Sequence, residues 1–320
     1  MDNFERVEIG NATLYCGDAF DILPTLGDGT IDQVISDPPY ASQTFGKCVD
    51  CEWDAPINLH ELWRLLESKA KPQANLCLFC NMRFGFDLIG SNPKAFRYDM
   101  IWAKNNRTGF LNASMRPMIS HELLTVWCRP GFSKMATYNT VKTAGGRPRI
   151  NRSKARQGGG VYPAGKAYTT VSNGDVNPIS VLAFDHDRGN GLNGFHPTQK
   201  PLNLLGYLLM LYSNPNDLVL DMFMGSGTTG LAAIKLNRKF IGIERERKYF
   251  DIACRRLEEA QRRKERYKPR IAESDDPNEL EAAAEEQFVP AITAAEPAIP
   301  LELAAEQQKC EATNLQENLT

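Results

Sequence analysis

The sequence predicts an α/β protein built on an open, largely parallel sheet. Three observations carry that expectation. Short β-prone runs such as 31–36 and 218–223 alternate with segments whose apolar residues recur at helical spacing. Two of these runs end in turns of unusual composition, Asp37-Pro38-Pro39-Tyr40 and Gly225-Ser226-Gly227-Thr228-Thr229-Gly230. With 320 residues, 42% hydrophobic and 24% charged, the chain can bury a sizeable core, as an ordinary globular protein does.

In order, residues 12–16 read as a short apolar strand ending at Gly17-Asp18. Residues 20–26 have helical spacing and stop at Gly27-Asp28-Gly29. Strand 31–36 runs into Asp37 and must end there, because proline supplies no ladder N–H. Each proline also restricts the residue before it to extended geometry. The product is a stiff loop holding Asp37 and Tyr40 in a nearly fixed relation at a strand's carboxyl end, where open α/β sheets bind ligands. Residues 41–55 read as a loop. A helix fits 58–70, with Leu59, Leu62, Trp63 and Leu66 on one face and Pro72 beyond its end. Strand 75–80, a helix near 83–89, and strands 97–103 and 123–128 follow. Trp63, Trp102 and Trp127 lie in apolar segments and are expected in the core. After residue 195 the pattern resumes: a helix from 202 to about 212, strand 218–223, helix 228–237, strand 240–244 and a closing helix from 247 to about 267.

Charge divides the chain more sharply than its net −2 suggests. Residues 271–320 hold 12 Asp/Glu against one Lys, and residues 1–270 hold 36 basic against 27 acidic side chains. The acidic, Ala/Glu/Pro-rich tail is expected to be disordered. Between Arg129 and Gly174 there are nine Lys/Arg and no acidic residue, with Tyr138, Tyr162 and Tyr168 interspersed among glycines. That stretch is too long for a connector. Its Arg147, Arg149, Arg152, Lys154 and Arg156 suit phosphate contacts and its aromatics suit stacking on bases, so a nucleic-acid partner is expected.

Metal chemistry is not expected. Cys77 and Cys80 lie three apart in a strand and point to opposite faces, so that CxxC pair cannot close on one ion; Cys48 and Cys51 form the other. His121-Glu122 begins like a zinc-protease motif, but Thr125 stands where the second histidine is required. No apolar run approaches the ~20 residues of a bilayer span and the first residues are no signal peptide, so a soluble, cytoplasmic protein is expected.

Gly225-x-Gly227-x-x-Gly230, between a strand and a helix, has the spacing of an adenosine-cofactor turn. Glu244 ends the next strand 19 residues after Gly225, where an acidic residue holds ribose hydroxyls. No Lys-Ser or Lys-Thr follows the last glycine, so the turn is not a phosphate-binding P-loop. On the glycine pattern alone an NAD(P)-dependent oxidoreductase stays open, though it leaves Asp37-Pro38-Pro39-Tyr40 and the basic stretch unexplained.

The order Asp37-Pro-Pro-Tyr40, basic insertion, His196-Pro-Thr-Gln-Lys-Pro201, then Asp221-Met-Phe-Met-Gly-Ser-Gly-Thr228 resembles the β-class DNA amino-methyltransferases over about residues 8–265. The resemblance implies a Rossmann-like, seven-stranded class I methyltransferase sheet with permuted motif order. It implies a catalytic half at 1–128, a target-recognition insertion at 129–190, a cofactor half at 191–268 and a tail at 269–320. S-adenosylmethionine is the implied cofactor and double-stranded DNA the implied partner; a companion restriction endonuclease and a homodimer stay open. Asp221, Phe223, Gly225, Ser226, Gly227 and Thr228 would bind the cofactor, the last five lining its methionine end. Glu244 would hold the ribose, Asp18 would meet the adenine amine, and Lys200 would flank the methionine pocket. Met224, bulky between Phe223 and Gly225, departs from the family's pattern.

The chemistry gives Asp37-Pro38-Pro39-Tyr40 its meaning. An exocyclic amine is a poor nucleophile because its lone pair is delocalised into the ring. Asp37 and the Pro38 carbonyl can each accept one of its N–H groups, while Tyr40 stacks on a flipped base. Asp rather than Ser at the first position resembles the adenine-N6 members more than the cytosine-N4 members.

Overall fold

The computed structural model describes residues 4–40, 55–144, 147–155, 165–185 and 199–271. Its centre is a nine-stranded sheet. The strands are β1 (Glu5–Ile9), β2 (Ala12–Cys16), β3 (Ile31–Ser36), β4 (Ala70–Cys80), β5 (Phe96–Thr108), β6 (Ile119–Trp127), β11 (Val181–Ala183), β12 (Leu218–Asp221) and β13 (Lys239–Glu244), with β7 to β10 in the segment between β6 and β11. Their order is β1-β2-β13-β12-β3-β4-β6-β5-β11. All neighbours are parallel except at β1, which pairs antiparallel with β2, and at β6, which runs against both β4 and β5. The expected seven-stranded sheet is the inner part, from β2 to β5. A strand has been added at each edge.

Among the described residues six helices cover the two faces: α1 (Ala19–Ile22), α2 (Leu59–Lys69), α3 (Met82–Ser91), α4 (Leu202–Tyr212), α5 (Thr228–Lys235) and α6 (Arg247–Ile271). Alternation along the strands sorts the core into two layers. Ile35, Cys77 and Phe79 pack with Leu208 of α4, Ala233 of α5 and Leu257 of α6. Val34, Leu78 and Cys80 pack with Ile22 of α1, Leu66 of α2 and Leu88 of α3. Cys77 and Cys80 therefore lie in opposite layers, as expected; Cys48 and Cys51 are outside the described residues. Trp63, Trp102 and Trp127 are all buried.

Several elements differ from expectation for identifiable reasons. β1 was not expected: it is mostly exposed, and it forms only by pairing with β2 across a tight turn in which Gly10 has φ +57°. The helix expected at 20–26 is one turn, Ala19–Ile22, followed by a 3₁₀ turn at Leu23–Thr25, because Pro24 cannot continue an α-helix. The strand expected at 218–223 ends at Asp221, where Ser36 Oγ takes up the N–H groups of Met222 and Phe223. The insertion at 129–190, in which no strand was expected, contains two antiparallel ladders. Pairing is of β7 (Thr143–Ala144) with β10 (Asp175–Val176) and of β8 (Arg149–Ser153) with β9 (Tyr168–Ser172). β8 and β9 are exposed on both faces, so no alternation in hydrophobicity announces them.

The broken helix is held by a buried lysine. Lys69 Nζ, at the end of α2, donates to the carbonyls of Pro24 (3.2 Å) and Leu26 (2.8 Å) and to Asp28 Oδ1 (2.7 Å). It thus takes the place of the N–H groups that a continuing helix would have offered to those two carbonyls. Lys69→Met keeps the apolar stem but strands two carbonyls, and chemical denaturation is expected to register a loss of about 1–3 kcal/mol.

Candidate active site

The chain leaves β3 toward β4 on one side and leaves β12 toward β13 on the other, so its direction of winding reverses between the adjacent strands β3 and β12. A crevice opens at the carboxyl ends of strands at such a point. Ser36, last in β3, closes the joint: its Oγ donates to Asp221 Oδ1, last in β12, at 2.7 Å. The residues that follow, Asp37-Pro38-Pro39-Tyr40 and the Gly225–Gly230 turn, are thereby set side by side although 185 positions separate Ser36 from Asp221.

A cavity of about 470 Å³ occupies the crevice, within the range of about 300–1,000 Å³ usual for small-molecule sites. Asp18, Asp37, Pro38, Pro39, Tyr40, Lys200, Asp221, Phe223, Gly225, Ser226, Thr228 and Glu244 all line it. Gly227, expected with them, does not. It has φ +78°, and a Cβ there would meet Ala253 and Leu257 of α6 at 2.9 Å, so its place is behind the turn. Gly225, also left-handed at φ +54°, is at the cavity face. Met224 turns inward and is 5% exposed, its sulfur packed where only a glycine, Gly242, leaves room. The bulky residue in the turn is thus absorbed by the core.

The turn is braced from outside. Arg256 Nη1 of α6 donates to Ser226 O (2.5 Å), Ser226 Oγ (2.8 Å) and Thr228 Oγ1 (3.3 Å). Ser226 Oγ donates to Gln199 Oε1 at 3.2 Å. Asp221, at the cavity face, also has a structural part. Its oxygens accept from Ser36, from Thr229 Oγ1 (2.6 Å) and from Phe223 N (3.2 Å), so it fastens strand to turn. Burial raises its pKa to about 6 despite those bonds. Asp18 caps α1, accepting from Phe20 N at 2.8 Å. Glu244 accepts from Gly225 N (2.9 Å) through Oε2 and from Glu246 N (2.8 Å) through Oε1.

Asp37 is gripped on both sides. Tyr40 OH donates to Oδ1 at 2.5 Å, and Lys200 Nζ donates to Oδ2. Tyr40 itself packs on Phe84, with ring centroids 5.6 Å apart. Lys200 also forms an ion pair with Glu122 Oε2 (3.2 Å) and stands 4.9 Å above the Phe79 ring, while Lys104 donates to Glu122 Oε1 at 2.6 Å. Two carboxylates and two ammoniums thus alternate from the cavity into the sheet. Burial pushes the Asp37 carboxyl above its ordinary range, with Lys200 opposing. Burial pulls the Lys200 ammonium down, but Asp37 and Glu122 outweigh it and keep the group charged.

Sequence reasoning missed Glu122 and Lys104. Both stand among strand residues, and only the antiparallel pairing of β5 with β6 makes them neighbours. Arg147, Arg149, Arg152 and Lys154 are exposed on β8 and its flanks, away from the cavity lining. Arg156 lies outside the described residues, as do residues 41–54, His196 and residues 272–320 of the acidic tail.

Burial drives the Glu244 pKa from 4.5 to about 7. Between those values the folded chain holds a proton that the unfolded chain has released, so stability falls as pH rises through this window and levels off above it. Glu244→Gln removes this contribution, leaving those of Asp221 and Asp37, whose carboxyls burial also raises. Thermal melts at pH 5 and pH 8 are expected to differ less for the variant than for the parent; an equal difference refutes the assignment.

Known proteins resemble the chain across the whole of this region. Residues 31–255 match the family described as DNA methylase, of the N6/N4 type. The Type II methyltransferase M.HinfI of Haemophilus influenzae is 32% identical over 279 residues, covering 77% of this chain and 68% of that protein. The Type II methyltransferase M2.LlaDCHI of Lactococcus lactis subsp. cremoris is 27% identical over 266 residues, covering 77% and 89%. The crystal structure of an M1.HpyAVI–SAM complex superposes with a TM-score of 0.50 at 26% identity, covering 77% of this chain and 99% of that one. The cytosine-N4-specific PvuII DNA methyltransferase, 15% identical, shares the fold with a TM-score of 0.55 over 88% of this chain and 94% of that one. The chain is a member of the N6/N4 DNA methylase family.

Proposed function

We propose that this methylase transfers a methyl group from S-adenosylmethionine to the N6 amine of adenine, on a nucleotide flipped out of double-stranded DNA. The observation that carries the reading is the joint at β3 and β12, which puts an amine-gripping carboxylate and an adenosine-type turn on one cavity. The lining fits the cofactor chemically. Asp18, Asp37, Glu122, Asp221, Glu244 and Glu246 share the lining with Lys200 and Arg245, a mostly acidic wall that suits a cationic sulfonium and opposes the pyrophosphate of a dinucleotide. Phe223, Gly225, Ser226 and Thr228 would hold the methionine end beside Lys200, Glu244 the ribose and Asp18 the adenine. When bound, the cofactor supplies a methyl group already activated by the sulfonium.

The chain's own residues prepare the amine. Asp37 accepts one N–H of the target through a carboxylate that Tyr40 and Lys200 hold in place, and the carbonyl of Pro38 accepts the other. Gripping both hydrogens draws the lone pair out of the ring, and the fixed carboxylate stabilises charge as it develops on nitrogen without reorganising. Tyr40, kept in position by Phe84, offers its ring to the flipped base. Asp37 rather than Ser at this position supports adenine over cytosine. On this reading residues 1–128 form the catalytic half, 191–268 the cofactor half and 129–190 the target-recognition insertion, whose exposed arginines meet phosphate. The protein would work in the cytoplasm.

Asp37→Ala and Asp37→Asn are expected to lower methyl transfer about a hundredfold or more while leaving S-adenosylmethionine affinity nearly unchanged. Loss of cofactor affinity in both variants would place Asp37 in the wrong site. Mass spectrometry of nucleosides from methylated DNA identifies the product, and N4-methylcytosine in place of N6-methyladenine would reverse the choice of base.

A further inference from the structure

β5 and β6 continue past the cavity as a hairpin. Lys104 and Glu122 mark its base, where Glu122 lines the cavity and pairs with Lys200. The ladder runs on to Thr108 opposite Ile119. That carries residues 109–118 on the order of 10 Å beyond the cavity lining. β5 is parallel to β3, so this tip projects from the same edge of the sheet as Asp37.

The tip is built and not merely a loose connection. Gly109 adopts φ +87°, a 3₁₀ turn spans Phe110–Asn112, and Asn112 O accepts from both Met115 N (2.9 Å) and Arg116 N (3.0 Å). It holds its apolar side chains outward. Phe110 is 72% exposed, Leu111 79% and Met115 76%. Single exposed apolar residues need no explanation, but three on one short ordered turn do. Arg107 and Arg116 flank them, both exposed, and residues 104–118 contain no acidic side chain.

We infer that the tip of the β5–β6 hairpin is a DNA wedge: Phe110 and Leu111 enter the base stack beside the target nucleotide while Arg107 and Arg116 meet the adjacent phosphates. The inference rests on the methyltransferase reading and deepens it. Extruding a base leaves a gap in the stack, and apolar side chains flanked by cations are the chemistry that fills such a gap beside a polyanion. An apolar partner protein alone would give the two arginines no purpose, and their positive charge selects DNA.

The test uses the full chain and duplex DNA carrying a site that the parent enzyme methylates. A second duplex is identical except for an abasic position opposite the target, so that the target is already unpaired. For the double variant Phe110→Ser/Leu111→Ser, whose changes touch only exposed side chains, methylation of the paired duplex is expected to fall about tenfold or more, and that of the abasic-opposed duplex by about twofold at most. An unchanged rate on the paired duplex overturns the inference. So does an equal fall on both duplexes, which would mark a contact unrelated to base extrusion. A dimer in gel filtration that the variant loses would assign the tip to a second copy of the chain instead. Failure of the parent protein to methylate any DNA would reject the functional reading itself, and that outcome is distinct from all of these.

Discussion

The 2.7 Å hydrogen bond from Ser36 Oγ to Asp221 Oδ1 ties together the carboxyl ends of β3 and β12, and the site depends on it. Neither partner is exposed, and neither faces a ligand alone. Ser36 also receives the N–H groups of Met222 and Phe223, while Asp221 receives the hydroxyl of Thr229. This cluster satisfies the backbone exactly where the β12 ladder stops, and that is why the strand can end abruptly without orphaned buried donors. It also explains why Asp221 tolerates burial that lifts its pKa to about 6: its work is to accept three hydrogen bonds. Remove the joint and the two motifs would still exist in the sequence, but on independent loops.

The alternating charges Asp37, Lys200, Glu122 and Lys104 have a different logic. A buried ion pair seldom adds net stability, because desolvation consumes most of its Coulombic gain. Four groups in a row are therefore poorly explained as a stabilising device. They are well explained as a way of fixing Asp37. Lys200 is held from behind by Glu122, which is held by Lys104, so the position of the carboxylate is set by the sheet rather than by a flexible loop. A preorganised acceptor of this kind has already met its reorganisation cost during folding.

What the sequence disclosed followed the range of each signal. Asp37-Pro38-Pro39-Tyr40, the glycine turn and Glu244 were legible because proline, glycine and a strand-ending carboxylate act on their immediate neighbours. The two core layers were legible through alternation, as Cys77 and Cys80 illustrate. The partnership of Lys200 with Glu122 was not, since it requires knowing that β6 is inserted antiparallel between β4 and β5. β1 was hidden because it is a mostly exposed edge, and the one-turn length of α1 because Pro24 was outweighed by a helical pattern. The hydrogen bonds of Asp221 were not legible for a further reason: a motif fixes the place of a residue but not which of its neighbours will claim its oxygens.

The antiparallel run of β6 has one more consequence. It sends the β5–β6 turn to the carboxyl edge, above the cavity, and it delivers the chain to the opposite edge at Trp127. The basic stretch therefore leaves from the amino edge, and it re-enters the sheet at Val181, which pairs with Ile101 and so is level with the carboxyl end of β3. At the amino edge the other connections are tight, with Asn216 and Asn237 both left-handed and Asn216 N donating to Asn237 O at 2.8 Å. The arginines of β8 and its flanks are exposed and line no part of the cavity. They are suited to long-range attraction and to phosphate contacts distant from the target. A contact beside the flipped base must come from an element rooted at the carboxyl edge, and the β5–β6 hairpin is such an element.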